Sequence, residues 1–189
     1  RRAVITTDSR HGFKRYPNLI KAWLDITMPD EVWVVDLTYI ILATGQIVYL
    51  AIVMDVFTRM IRGWQLGEEC THELCLTALQ RAFKHGVCKI HHSDQGVQYA
   101  TPKYTQALEA RAIQISMAAV GKAWENGLCE RWMRTLKEEE VYLTDYEDFA
   151  DALKNIGRFI DRVYNKHRIH SALGDLSPEK FEAQWRAMQ

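Results

Sequence analysis

The chain has 189 residues, of which 48% are hydrophobic and 25% are charged, a composition typical of a globular domain with its own core. No apolar run approaches the roughly 20 residues of a membrane-spanning helix, and the first residues lack the apolar stretch of a signal peptide. We therefore expect no membrane partner and a cytoplasmic location. The 24 Lys and Arg residues balance the 24 Asp and Glu residues, which argues against a protein that holds nucleic acid by bulk charge alone.

The first 28 residues are interpreted as an N-terminal basic arm. Residues 1–21 are rich in Lys and Arg and contain one acidic residue, Asp8. Such a charge run suits a DNA contact and a solvated tail equally well. One short helix is expected near residues 16–24.

Three strands are predicted after the arm. Residues 31–40 are rich in β-branched and aromatic side chains, which is typical of a strand. A turn at Thr44-Gly45 leads into a second apolar strand at residues 46–55, so the two form a hairpin. A third strand is expected at residues 60–66.

Helices and strands alternate in the rest of the chain. Thr71 is expected to cap a helix that ends near His85-Gly86. The following elements are a strand at residues 87–92, a helix that starts near Pro102, a strand at 112–116, a long helix at about 124–140, a helix at about 146–166 and a short helix after Pro178. The predicted class is α/β, with a five-stranded mixed sheet flanked by helices. This element order is similar to the ribonuclease-H-like fold, with a core at residues 29–170 and a C-terminal extension at residues 171–189.

Three acidic residues stand where such a fold could bring them together. Asp36 lies in the first strand among apolar neighbours, where a carboxylate is costly to bury unless it is paired or metal-bound. Asp94 follows the fourth strand, which neighbours the first in this order, and Glu130 lies in the long helix. Each has an ordinary alternative: an ion pair for Asp36, a turn cap for Asp94 and a solvated helix face for Glu130. Their combined placement favours a site for two Mg²⁺ or Mn²⁺ ions, which prefer oxygen ligands.

Polar side chains near Glu130 are candidate DNA contacts. They are Lys122, Asn126, Arg131, Arg134 and Lys137. Arg134 and Lys137 share a helix face and could contact phosphates, although solvated helix charges explain them nearly as well. Asn126 could orient a metal-bound water or a nucleotide, or simply cap the helix.

Other polar residues have less specific interpretations. Cys88 with His91 and His92 has the residue types of a zinc site, but residues of one strand alternate between its faces and do not converge on one ion. We expect reduced thiols instead, and core histidines rather than DNA contacts. Asp55 is interpreted as a turn acid, not a metal ligand. The sequence does not decide whether Arg168 and His170 brace the core or contact DNA.

Several sequence motifs surround the three acids. They read VDLTY at 35–39, DVFTR at 55–59, HSDQGVQY at 92–99, WENG at 124–127 followed by Glu130-Arg131, and YN at 164–165 followed by HSALG at 170–174. Together they resemble the integrase core of bacterial insertion-sequence transposases, in the group that encodes its transposase in two overlapping frames. One stretch departs from that family: residues 116–124 read SMAAVGKAW, where Ser-x-x-Gly-Asn is usual, which leaves the DNA contacts of this loop open.

The resemblance implies a function and a set of partners. It implies a DDE metal triad of Asp36, Asp94 and Glu130, nicking of element-end DNA and strand transfer by a 3′-hydroxyl. It also implies DNA as partner, a homo-oligomer on DNA, a bacterial cytoplasmic location and an N-terminal DNA-recognition region located elsewhere. Two alternatives remain open, a ribonuclease-H-like nuclease and a non-enzymatic DNA-binding or assembly module.

Overall fold

A five-stranded sheet in the order β3-β2-β1-β4-β5 organises the chain. The structure is a computed structural model that describes residues 11–20, 26–119 and 127–189. The strands are β1 (Val32–Ile41), β2 (Ile47–Asp55), β3 (Ile61–Gly67), β4 (Ile90–Ser93) and β5 (Gln114–Met117). β1, β2 and β3 pair antiparallel, whereas β4 and β5 run parallel to β1. The predicted mixed sheet, with the first and fourth strands as neighbours, is therefore confirmed.

Helices cover both faces of this sheet. They are α1 (His72–Ala82), α2 (Val97–Ala100), α3 (Pro102–Glu109), α4 (Gly127–Glu139), α5 (Phe149–Arg158) and α6 (Pro178–Ala187), with a π-helical segment (Phe159–His167) that continues α5. No helix in the described parts of the chain is both long and apolar enough to cross a bilayer.

The pleat of β1 divides the hydrophobic core into two halves. Val32 and Val34 belong to the half that packs under α4, α5 and the π-helical segment. Trp33, Val35 and Leu37 belong to the other half, beneath α1, α2 and α3. Successive side chains of a strand point to opposite faces, so a strand buried on both faces reads as the continuous apolar run seen in the sequence. Asp36 has the same parity as Val34 and therefore lies on the α4 side.

Three elements differ from the sequence-based expectation. The helix expected near residues 16–24 is absent from residues 16–20, and the remainder lies outside the described residues. The last long helix is α5 plus a π-helical segment, a wider winding that hydrophobic periodicity does not distinguish from an α-helix. The short helix α2 precedes α3 and was not predicted, because four residues show no periodicity.

A close contact fixes α1 on the sheet. Gly63 lies in β3 directly under α1, and a Cβ atom on it would overlap the Ala78 carbonyl and lie 2.6 Å from the Ala82 nitrogen. Thr71 caps α1 as predicted, since its side chain accepts a hydrogen bond from the Leu74 N–H. The helix ends at Ala82, a few residues earlier than the sequence indicated.

Candidate active site

The register of β1 and β4 brings two of the three acids to the same level. Val32 pairs with Ile90 and Val34 pairs with His92 in the parallel ladder. Asp36 follows Val34 by two residues, and Asp94 follows His92 by two residues. Because parallel strands advance together, both residues stand at the same end of the sheet.

The third acid is delivered by α4. The helix packs against β1 and buries Cys129, Trp132, Met133 and Leu136. Glu130 lies in the first turn of the described helix and is exposed. A carboxylate is favourable near a helix N-terminus, where the backbone N–H groups carry partial positive charge.

The electrostatics of Asp36 indicate that the three carboxylates lie near one another. The pKa of Asp36 is raised to about 7, first by burial and then by the negative charges of Asp94 and Glu130. A hydrogen bond of 2.8 Å from the Leu37 N–H and the charge of Lys137 act in the opposite direction. Like charges that raise a pKa in this way define a place where a cation would be stabilised.

Asp94 also has the turn-capping role considered for it. Its Oδ1 accepts a 2.8 Å hydrogen bond from the Gly96 N–H. The adjacent Gln95 side chain donates to the Ala118 carbonyl at 3.0 Å, and the Gln95 carbonyl lies 3.0 Å from His11 Nε2. These contacts tie the loop after β4 to the end of β5 and to the N-terminal arm, and thereby hold Asp94 in place.

Asp36 and Glu130 line a cleft of about 470 Å³ together with Arg134 and Lys137. Asp94 is not among its lining residues. The Lys137 ammonium lies 5.2 Å from the centre of the Tyr39 ring, a cation–π contact. No three His, Cys, Asp or Glu side chains within the described ranges are already arranged to hold a metal ion. The three carboxylates therefore lie in one region of the protein without forming a closed coordination shell.

The candidate DNA contacts divide into two groups in space. Arg134 and Lys137 lie beside Glu130 in the cleft. Arg131 lines two other cavities, on the side of α4 that faces Arg59. Lys122 and Asn126 lie outside the described residues. One helix therefore presents basic groups to two different sides.

Both histidines before Asp94 belong to the core, as favoured by the sequence. His91 lies 2.9 Å from the Tyr104 hydroxyl and His92 lies 2.8 Å from the Ser116 hydroxyl. Burial, and to a smaller extent His92, lowers the pKa of His91 to about 3, so this ring is neutral at physiological pH. All four cysteines are free thiols.

Asp55 is the turn acid that the sequence indicated. Its Oδ1 accepts hydrogen bonds from the Thr58 N–H at 2.7 Å and from the Thr58 hydroxyl at 2.9 Å. Sequence reasoning missed its cationic neighbour Arg62, whose Nη2 lies 3.9 Å from Asp55 and 3.1 Å from Asp30. A charged residue inside the otherwise apolar start of β3 was the available signal.

Arg168 and His170 both make contacts that connect the C-terminal segment to the core. Arg168 forms a bidentate ion pair with Glu139 at the end of α4, with its shortest contact at 2.7 Å. His170 stands edge-on to Tyr164, with ring centres 5.1 Å apart. The C-terminal segment is therefore connected to α4 and to the π-helical segment.

Comparison with known proteins identifies the family. Two family models, both described as an integrase core domain, match residues 26–123 and residues 111–178. The first alone spans just over half of the chain.

Curated relatives extend the match to almost the whole chain. A 31 kDa insertion element IS600 protein of Shigella sonnei is 35% identical over 186 residues, which is 97% of this chain and 68% of that protein. The transposase of insertion sequence element IS904 from Lactococcus lactis is 34% identical, over 92% of this chain and 73% of that protein. The transposase InsF of insertion sequence IS3fB from Escherichia coli is 32% identical, over 92% and 61%.

Solved structures show the fold. The HTLV-2 integrase catalytic core domain, solved in complex with magnesium, superposes with a TM-score of 0.66 at 16% identity and covers 82% of this chain and 97% of that one. A chain of a simian T-cell lymphotropic virus intasome gives 0.69 at 17% identity, over 94% and 61%. These neighbours have the ribonuclease-H-like fold that the element order predicted. Family models, relatives and fold agree, and the chain belongs to the integrase-core transposases of IS3-family insertion sequences.

Proposed function

We propose that the chain is the catalytic core of a DNA transposase that nicks element-end DNA and transfers the strand through its 3′-hydroxyl. The observation that carries the proposal is the placement of Asp36 and Asp94 at the same end of the sheet, with Glu130 beside Asp36 in one cleft. The pKa of Asp36, raised by burial and by the charges of Asp94 and Glu130, agrees with that placement. Three acids that repel one another at the end of a sheet destabilise the fold unless a cation compensates them. Their convergence at one end of the sheet is more consistent with a binding site than with three structural roles.

The donor set fits divalent magnesium or manganese. Carboxylate oxygens are the ligands that these hard ions prefer, and the two imidazoles that precede Asp94, those of His91 and His92, are engaged in the core. Asp36, Asp94 and Glu130 would hold two ions. Bound there, the metal would supply Lewis-acid activation of the attacking oxygen and stabilisation of the leaving oxygen.

The chain's own residues prepare that site. Asp36 and Asp94 each commit one oxygen to a backbone N–H, from Leu37 and Gly96, and this fixes the direction of both carboxylates. Glu130 is exposed and has the most freedom, so it would complete the ligand set last. No general-base histidine is needed in this chemistry.

Arg134 and Lys137 would hold the DNA backbone at this site. Both line the cleft that contains Asp36 and Glu130, where their positive charge could neutralise a phosphate without reading bases. Lys122 and Asn126 remain candidate contacts on sequence grounds. To act on both ends of an element, the protein would form a homo-oligomer on DNA and would use an N-terminal recognition region located elsewhere. For the chain itself we propose three parts: an N-terminal basic arm at 1–28, a catalytic core at 29–170 and a C-terminal extension at 171–189.

The test is a nicking and strand-transfer assay on labelled element-end DNA with Mg²⁺ or Mn²⁺. Asp94→Asn and Glu130→Gln should abolish both products, whereas Asp145→Asn, which changes an exposed carboxylate outside the cleft, should not. Unchanged activity in Asp94→Asn would refute the metal triad.

Two other outcomes distinguish the alternatives. Efficient cleavage of RNA–DNA hybrids without strand-transfer products would identify a ribonuclease-H-like nuclease. DNA binding without any metal-dependent product, unaffected by the Asp94 and Glu130 substitutions, would identify a non-enzymatic assembly module.

A further inference from the structure

A second cavity lies on the side of α4 away from the carboxylates. Its volume is about 370 Å³, within the range of small-ligand sites. Its polar wall is formed by Arg59, Arg131, Trp132, Arg168 and His170. Not one of its lining residues is acidic, so the cavity is polar and positively charged.

Three buried polar atoms around this cavity have no hydrogen-bond partner among the described residues. They are Arg59 Nη1, Trp132 Nε1 and His170 Nε2. Trp132 is the clearest case, because its side chain is only 2% exposed and its indole nitrogen can only donate. Buried polar groups in native proteins are nearly always paired. Three unpaired ones on one cavity indicate a ligand that accepts hydrogen bonds.

The charges around the cavity favour an anion. Arg168 is neutralised by Glu139, but Arg59 and Arg131 form no ion pair with any residue in the described ranges. Burial lowers the pKa of Arg59. Tyr164 and Asp55 act in the opposite direction, and the like charge of Arg131 again lowers the pKa. The pKa of His170 is lowered to about 4 by burial, by Arg168 and by Arg59. An acceptor that also carries negative charge would relieve this repulsion.

The backbone of Arg59 adopts a conformation that an arginine rarely takes. Its φ is +62°, in the left-handed region that glycine and asparagine adopt at lower cost. The position lies in the β2–β3 turn, where the Arg59 N–H donates to the Asp55 carbonyl at 3.0 Å. An arginine here is unfavourable for the turn, which is understandable if its guanidinium has a ligand.

We infer that this cavity binds a phosphate group, and that in the working protein the phosphate belongs to the DNA backbone. Guanidinium groups match phosphate oxygens in pairs, and an indole N–H donates to a third oxygen. The cavity walls are fixed by the edge-on contacts of Tyr164 with Trp132, at 5.8 Å, and with His170, at 5.1 Å. Assignment to DNA rests on the proposed function, whereas phosphate binding itself does not.

The position of the cavity gives it a role in alignment. Glu130 and Arg131 are adjacent on α4 but line different cavities. A phosphate held by Arg131 and Arg59 would therefore fix the DNA path on one side of the helix while Glu130 faces the reacting phosphate on the other. Phosphate contacts of this kind set register without reading sequence.

The test follows the indole N–H resonance of Trp132 by ¹H–¹⁵N NMR, assigned with Trp132→Phe. The full chain is titrated in EDTA, first with inorganic phosphate and then with a short DNA duplex. We expect a saturable downfield shift of this resonance with both, and competition between them. A shift with phosphate but not with DNA would retain the pocket and overturn its assignment to DNA. No shift with either would overturn the inference.

Variants separate specific binding from general charge effects. Arg131→Gln, at an exposed position that should not affect folding, is expected to weaken phosphate binding by about tenfold or more. Arg59→Asn should do the same while tolerating the left-handed turn. Arg158→Gln removes an exposed cation outside the cavity and serves as the matched control. Equal weakening in all three variants would refute a specific site.

The metal-free condition keeps this test independent of the catalytic proposal. If Trp132 responds to phosphate but Asp94→Asn still nicks DNA, the triad is wrong and the phosphate pocket stands. If nicking depends on the triad but Trp132 does not respond to phosphate, the triad stands and the phosphate pocket is wrong.

Discussion

Replacement of Arg62 by leucine should destabilise the protein more than any surface charge change. Arg62 is 5% exposed in β3. Its guanidinium lies 2.8 Å from Glu182 on α6, 3.1 Å from Asp30 before β1 and 3.9 Å from Asp55 at the end of β2. One cation thus connects three parts of the chain that are far apart in sequence.

The magnitude follows from what remains after the substitution. Leucine leaves the carboxylates of Asp30, Asp55 and Glu182 close together in a largely buried place without the cation between them. Removal of one partner from a buried ion pair costs about 3–5 kcal/mol, because the remaining charge is desolvated without compensation. We expect a loss in the free energy of unfolding in that range.

The loss should depend on pH in a defined direction. Burial raises the pKa of Glu182, but the hydrogen bonds from Arg62 and Arg186 outweigh it and hold the pKa below its ordinary value. A lowered pKa in the folded state contributes stability above the unfolded-state pKa and loses it as the pH falls. The difference between wild type and Arg62→Leu should therefore be largest near neutral pH and shrink below about pH 4.5.

Urea unfolding followed by tryptophan fluorescence measures both effects. Arg186→Gln is the matched control, because Arg186 pairs with the same Glu182 at 2.6 Å but its side chain is 56% exposed. An exposed pair contributes no more than about 1 kcal/mol. A loss below about 1 kcal/mol in Arg62→Leu at neutral pH, or one that is the same at acidic pH, would refute the reasoning.

Other substitutions test the site and the packing. Asp36→Asn should abolish nicking yet stabilise the metal-free protein by on the order of 1–3 kcal/mol, since it removes a charge that is disfavoured first by burial and then by repulsion from Asp94 and Glu130. Thermal unfolding in EDTA measures this, and destabilisation would contradict it. Millimolar Mg²⁺ should raise the unfolding temperature of wild type but not of that variant. Gly63→Ala should destabilise the folded protein by about 3 kcal/mol or more, because the added Cβ meets the backbone of α1. Gly127→Ala in α4 is the control: its Cβ meets no atom within 4 Å, so the variant should be neutral or stabilising. Equal unfolding midpoints for the two glycine variants would show that β3 and α1 are not in close contact.

Much of the fold could be predicted from the sequence because its signals are local. β-branched runs at β1 and β2, the cap at Thr71 and the alternation of helices with strands each depend on neighbouring residues. Their order restricted the topology to a sheet in which β1 and β4 are neighbours. The π-helical segment and the short α2 were missed because neither changes the hydrophobic period over a long enough stretch.

The chemistry was predicted from residue types, and its geometry was not. Asp36, Asp94 and Glu130 were selected as carboxylates on two strands and a helix. Only the packing of α4 against β1 decides that Glu130 perturbs Asp36. Metal coordination by these three residues remains a prediction.

The sequence by itself determined the family, the mixed sheet with its first and fourth strands as neighbours, and the candidate acids, because motifs and periodicity are written in consecutive residues. Tertiary structure decided what side chains far apart in sequence do together. It placed Arg62 between Asp30, Asp55 and Glu182, and it turned Arg131 away from Glu130 toward Arg59. Ion pairs and unpaired hydrogen-bond donors depend on distances across the fold, and those distances are set only once the helices have packed on the sheet.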